Sequence, residues 1–235
     1  MDDPHASDIV VMVSANAEWR AIEEIFPAAE LQHSPLGEWF ETQLDESDFH
    51  VLFFHGGWGK IAAAASTQFA IHHCRPKLLV NLGTCGGFEG EVERGDVILA
   101  ERTVVYDIHE QMGDFDEHIA HYASELDLSW LGPELPHKVI RAPMVSADRD
   151  LFAADIPRLK RDFGAIVADW ESASIAWVAR QHGVRTLILR GVSDLVGEAG
   201  GDAYEGQLRV FEQNTRAIMR RVVEQLPDWL ARWRD

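Results

Sequence analysis

Residues 165–194 read AIVADWESASIAWVARQHGVRTLILRGVSD, and the order of apolar and acidic residues within them sets the expected fold class. Ala165 to Ala168 is a short apolar run that ends in Asp169-Trp170-Glu171. Ser172 to His182 has helical spacing, with Ile175, Val178 and Ala179 on one side and Gly183 as its stop. Thr186 to Val192 is a strand of β-branched and aliphatic residues that runs into Ser193-Asp194. Strand, helix and strand in this order predict a βαβ unit. Its parallel strands would carry both acid clusters to one carboxyl-terminal sheet edge. Open α/β sheets bind their ligands along that edge, so Glu171 and Asp194 are expected in one crevice.

Working outward, the same grammar repeats. Ile9 to Val13 is a buried-type strand followed by Ser14-Ala15-Asn16-Ala17-Glu18 and a helix through Ile22, Ile25 and Phe26. Val51 to Phe54 leads through His55-Gly56-Gly57-Trp58-Gly59-Lys60 into an alanine-rich helix to about His73. Leu78 to Leu82 ends in Gly83-Thr84-Cys85-Gly86-Gly87. Val97 to Tyr106 and Val139 to Val145 are further extended runs, and Tyr204 to Trp233 is largely helical. Repeated strand–loop–helix units predict one α/β domain over residues 1–235, built on a central, largely parallel sheet flanked by helices. No linker, low-complexity run or repeat divides it.

The formal net charge of −18 argues against nucleic acid or an anionic membrane as partner, since both need a basic face. No stretch reaches the apolar length of a membrane span, and Cys74 and Cys85 are too few for a disulfide framework. A cytoplasmic location is expected. The glycine clusters match neither G-x-x-x-x-G-K-[ST] nor G-x-G-x-x-G, so nucleoside triphosphates and dinucleotides are not implied. His118 and His121 stand three apart without a companion motif, and neither a metal nor an organic cofactor is expected.

Ser14 to Glu18, Gly57-Trp58-Gly59-Lys60-Ile61-Ala62-Ala63, Asn81 to Gly87, Gly95-Asp96-Val97-Ile98, Asp169 to Ala173 and Arg190 to Asp194 occur in a collinear order. Together they resemble the nucleoside phosphorylase superfamily, and within it the methylthioadenosine/S-adenosylhomocysteine nucleosidase branch, over roughly residues 8 to 220. The resemblance implies a three-layer α/β/α fold around a partly closed mixed sheet, assembled as a homodimer or higher oligomer. It also implies cleavage of the bond between a purine base and ribose, with a purine nucleoside and water as the reactants. Asp194 matches the aspartate that protonates N7 of the leaving base, a role that needs a raised pKa. Glu171 matches the glutamate that binds the ribose hydroxyls, and Glu18, counted without a gap from Ile9, the acid that activates water. Trp170 falls where a methionine lies under the ribose. Thr84, Cys85 and Gly86 match the loop beside base and sugar, and Asp169 stands where the branch has a glutamate.

Phosphorylases of this superfamily carry an arginine for phosphate at the place of Asn81. Asparagine brings no charge to that anion, and Glu18 would repel it, so water is the expected nucleophile. A phosphate-dependent phosphorylase and a non-catalytic nucleoside-binding protein stay as alternatives. In Val145-Ser146-Ala147-Asp148-Arg149-Asp150-Leu151-Phe152, Asp150 takes the place of an aromatic that stacks on the base. Either Phe152 reaches the base through a shifted loop, with Leu151 beside it, or the base pocket differs. The polar segment from Tyr106 to His121 is expected at the substrate's 5′ side, and AMP-like or futalosine-like nucleosides stay open as substrates. Each acid also has a plainer role: Asp169 as a helix cap, Asp194 as a turn former, Glu18 as a partner of a helix dipole.

Overall fold

The structure is a computed structural model that describes residues 6–44, 49–197, 200–201 and 208–234. The first strand, β1 (Ile9–Val13), is buried along its whole length, and α1 (Asn16–Ile25) follows it. A hairpin that the sequence reading did not anticipate comes next, β2 (Gln32–Ser34) and β3 (Gly37–Gln43), which pairs onto β4 (His50–His55). Then come α2 (Lys60–Cys74), β5 (Leu78–Phe88), β6 (Val97–Val105), α3 (Phe115–His121) and β7 (Ala123–Glu125). The chain continues through β8 (Ile140–Ser146), α4 (Ile156–Phe163), β9 (Val167–Asp169), α5 (Ser172–Gln181), β10 (Arg185–Gly197) and β11 (Gly200–Gly201). The last helix, α6 (Leu208–Arg234), includes Pro227; the expected helical stretch from Tyr204 to Gln207 lies outside the described residues.

Side chains alternate along the strands and so serve two faces. Val11, Phe53, Val80 and Leu189 pack with Trp19 and Ile22 of α1 and with Met219, Val222, Leu226 and Trp229 of α6. Val10, Met12, Leu52, Phe54 and Leu79 pack on the opposite side with Ala63, Ala70 and Ile71 of α2 and Ile175 and Val178 of α5. The α2 helix stops at Arg75, whose left-handed backbone (φ 52°) returns its N–H to Ile71 O before Pro76 restarts the chain as β5. No helix among the described residues is long and apolar enough to cross a membrane.

The expected mixed sheet is present, but it is not largely parallel, and the three-layer arrangement needs correction. Five strand pairings are parallel and six antiparallel among the described residues. The order β3-β4-β1-β5 is open, but β5, β10, β6, β8 and β9 close into a five-strand ring. Nor do β9 and β10 form the expected parallel βαβ pair. They are not neighbours: β9 runs antiparallel to β5, and β10 runs parallel to it. The cause is the length of β5. The sequence reading ends this strand at Leu82 and makes Gly83–Gly87 a loop, whereas the ladder runs on to Phe88. Glycines let neighbours approach there: a Cβ on Gly87 would stand 2.5 Å from Val92 Cγ2 and 2.8 Å from Val192 Cγ1. With strands on both flanks of its glycine half, β5 becomes the seam on which the ring closes.

Candidate active site

Gly86 is in register with Ala168 on one side and Asp194 on the other. The two acid clusters are thus brought together across a single glycine of β5, not along a shared strand edge. A β-bulge between Val192 and Asp194 shifts the register of β10 at this point. The result is a cavity of about 500 Å³, lined by the β1–α1 junction, Thr84 to Gly86, Arg149 to Leu151, Ala168 to Glu171, and Ser193 and Asp194, with Trp58 and Phe211. Glu18, Glu171 and Asp194 all reach it, and all three are buried.

Buried carboxylates need partners, and Arg190 is the central one. Its guanidinium is 1% exposed and lies 3.5 Å from Glu18 Oε1, 3.2 Å from Asp169 Oδ2 and 3.7 Å from Glu171 Oε2. It also donates to Thr84 O, Asn81 Oδ1 and Ser172 Oγ. The sequence reading gave Arg190 no role, although a cation inside TLILRGV has to be matched by acids in the fold. Asn81 is enclosed in this network, donating to Met12 O and accepting from Arg190 and Ser172, and it does not line the cavity. Asp169 borders the cavity, but its carboxylate is committed inward to Arg190, Ser146 Oγ, Ser172 Oγ and the Ser172 N–H at the start of α5. It thereby satisfies the first free amide of α5, from two residues ahead of the N-cap residue Glu171.

Glu18 is held from both sides. Oε1 accepts from Thr84 N (2.6 Å) and Thr84 Oγ1 (2.9 Å), and Oε2 accepts from Ala15 N (3.1 Å). The second lone pair of Oε2 suits a water molecule in the cavity. Glu171 Oε1 accepts from Gly59 N (3.0 Å). Burial pushes the Glu171 carboxyl up to about 8, against the pull of Arg190, and Asp169 and Glu18 push the same way. Burial also raises Asp194; the Ser193 hydroxyl, 2.6 Å from Oδ1, and Arg94 oppose the rise, and Asp150 adds to it. Cys85 lines the wall as a neutral thiol, raised far above its usual range by burial.

Trp170 stacks on Trp58 with ring centroids 6.1 Å apart and planes 13° apart, and both line the cavity. Trp58 is 67% exposed and had no assigned role in the sequence; the signal was a large aromatic set between two glycines. Leu151 is buried against the cavity, and Asp150 lines it too. Phe152 does not: it is 54% exposed, with the Arg149 guanidinium 5.2 Å from its ring, because the extended backbone that turns Leu151 inward turns its neighbour out. The 106–121 segment is also absent from the lining. Its Asp107 is tied to Lys60, and His118 faces Glu110 at 3.4 Å.

Relatives share this arrangement of elements. The 5′-methylthioadenosine/S-adenosylhomocysteine nucleosidase of Tolumonas auensis is 26% identical over 202 residues, 80% of this chain and 86% of its own length. The enzyme of that name from Geobacillus is 26% identical over 188 residues, 75% and 81% of the two chains. Among solved structures, the Helicobacter pylori 5′-methylthioadenosine/S-adenosylhomocysteine nucleosidase, in complex with a substituted pyrrolidin-3-ol, superposes with a TM-score of 0.77. It is 17% identical and covers 96% of this chain and 98% of its own. The H. pylori futalosine hydrolase has the same score, identity and coverage, which establishes a common fold. A sequence model of the phosphorylase superfamily matches residues 8–224, and the chain belongs to that superfamily.

Proposed function

We propose that this protein is an N-ribosyl hydrolase that releases the base from a 5′-modified purine nucleoside. The observation that carries the proposal is the meeting of Glu18, Glu171 and Asp194, all buried, in one cavity, with the buried Arg190 behind it paired to Glu18 and Glu171. Burial favours the protonated form of Asp194, which gives its proton to N7 of the purine as the C1′–N9 bond breaks. The carboxylate of Glu171 binds the ribose hydroxyls and stabilises the positive charge that develops on the sugar. Glu18 takes a proton from water as its oxygen adds to C1′, leaving free base and the ribose derivative. Thr84 and Arg190 keep Glu18 oriented for that step.

Water is favoured over phosphate because carboxylates dominate the nucleophile's side of the cavity. Its lining cations, Arg20 and Arg149, are engaged with Glu212 and Asp155. The names of the sequence relatives support the same reading. Trp170, Trp58 and Leu151 would contribute apolar contact to sugar and base, while Thr84, Cys85 and Gly86 form the wall beside them. We also take residues 1–235 as one domain acting in the cytoplasm as a homodimer or higher oligomer. The exposed Trp58, Ile61 and Met112 are consistent with assembly, which light scattering in solution tests.

The decisive experiment is chromatographic detection of free base from methylthioadenosine, S-adenosylhomocysteine, adenosine, inosine, AMP and futalosine, with and without phosphate. Base release in phosphate-free buffer is expected. Release only with phosphate or arsenate would assign a phosphorylase, and tight binding without release would assign a nucleoside-binding protein.

A further inference from the structure

Lys60, Asp107 and Asp148 lie outside the cavity lining, yet they are joined in a closed cycle beside it. Lys60 N–H donates to Asp148 Oδ1 at 2.6 Å. Asp148 N–H donates to Asp107 Oδ2 at 3.0 Å, and Asp107 Oδ1 receives the Lys60 ammonium, which also stands 3.8 Å from Asp148 Oδ2. The three residues come from three places: the first residue of α2, and the positions two residues past the ends of β6 and β8. The cycle therefore ties α2, which packs on the open half of the sheet, to two strands of the ring.

The N–H of the preceding residue serves the cavity itself. Gly59 N donates to Glu171 Oε1, so two consecutive amides serve two carboxylates: Gly59 for Glu171 and Lys60 for Asp148. Gly59 has φ +83°, and a Cβ there would lie 3.1 Å from Asp148 Oδ1. The backbone is thus set in a conformation that L side chains rarely adopt, and Asp148 grips its far side. We propose that Asp148, Asp107 and Lys60 are positioning residues that hold the Gly59 N–H on Glu171 and so fix the orientation of the ribose-binding carboxylate. The Gly59 bond favours the ionised form of Glu171, the form that stabilises a cationic sugar. Loss of the cycle would free the 59–60 peptide, weaken that bond and leave Glu171 both misaligned and protonated to higher pH.

The inference rests on the hydrolase reading for its kinetic consequence but not for its geometry, so two readouts separate them. The first is a ¹³C-carboxyl NMR titration of the intact protein labelled at glutamate, with the Glu171 signal identified by its loss in Glu171→Gln. Asp148→Ala is expected to move the Glu171 titration upward in pH. The second is turnover. Asp148→Ala is expected to lower kcat by about 10²-fold, the scale of a displaced catalytic group. Asp148→Asn keeps an oxygen for the Lys60 N–H and is expected to recover most of that loss. Lys60→Met, which leaves the 59–60 amides in place, tests the same cycle should Asp148→Ala fail to fold. An unchanged Glu171 titration and unchanged kcat in a folded variant would overturn the inference, since a merely structural role moves only the melting temperature. If the wild-type protein releases no base from any nucleoside, the hydrolase reading fails and the titration alone judges the clamp.

Discussion

Asp194 and Glu171 have opposite needs at the moment of bond cleavage. Asp194 must carry a proton to give to the base, and Glu171 must have lost one to face a cationic sugar. Both are raised by burial, which alone would favour the neutral form of each. The local donors oppose this: Ser193 Oγ–H stabilises ionised Asp194, and Gly59 N–H with Arg190 stabilises ionised Glu171. Turnover therefore needs the form in which Asp194 is protonated while Glu171 is ionised, and its pH profile is expected to be bell-shaped, with one limb from each group. Ser193→Ala removes a donor to the charged form, so Asp194 keeps its proton to higher pH. One limb of the kcat/KM profile should move to higher pH in that variant, and a profile that stays or shifts downward would contradict the assignment. Asp194→Asn should cost about 10²-fold or more in kcat at every pH. Near-wild-type turnover by that protein would remove Asp194 as the general acid.

At the scale of elements, β5 decides the site. Its Gly83 lies against the buried network: a Cβ there would stand 2.7 Å from Glu18 Oε1 and closer still to the Arg190 guanidinium. Neither group can yield, since each is held by several partners in a closed interior. Gly83→Ala is expected to cost about 1–3 kcal/mol by overpacking and to depress kcat through displacement of Glu18, read by denaturant melts and turnover together. Arg190→Met, which leaves three buried carboxylates without their common cation, should cost about 3–5 kcal/mol. These residues also mark where the sequence is readable. The apolar runs at Ile9–Val13 and Leu78–Leu82 announce strands by composition, and Gly183 announces the end of α5. The continuation of β5 through Gly83–Gly87 is hidden, because glycine is a turn former by local propensity and enters a strand only where neighbours must come close. Arg190 has no mark in the sequence as the common centre of the acids, because its partners come from β1–α1, β9 and the start of α5. Phe152 and Leu151 differ by one position, and only the backbone at the start of the following turn decides which faces inward.

For the whole molecule, the buried acids couple protonation to stability. Glu171 holds its proton in the folded protein up to about 8, whereas in the unfolded chain it ionises near the ordinary glutamate value of about 4.3. Between those two values the folded state binds a proton that the unfolded state has released, so this group's contribution to stability falls as pH rises through the window and is constant beyond it. Glutamine has the same shape and never ionises, and it still offers an oxygen to Gly59 N–H. Glu171→Gln therefore carries no such loss. All other titrating groups are shared with the wild-type protein and cancel to first order in the difference between the two. The melting temperature of the variant, measured relative to wild type, should increase from pH 5 to about pH 8 and level off beyond it, where wild-type Glu171 is ionised in both states. The accumulated effect is on the order of a few kcal/mol, about 1.4 kcal/mol for each tenfold change in proton affinity. A difference in melting temperature that stays flat across this range would mean that Glu171 ionises at its ordinary value. No limb of the rate profile near pH 8 could then be assigned to Glu171.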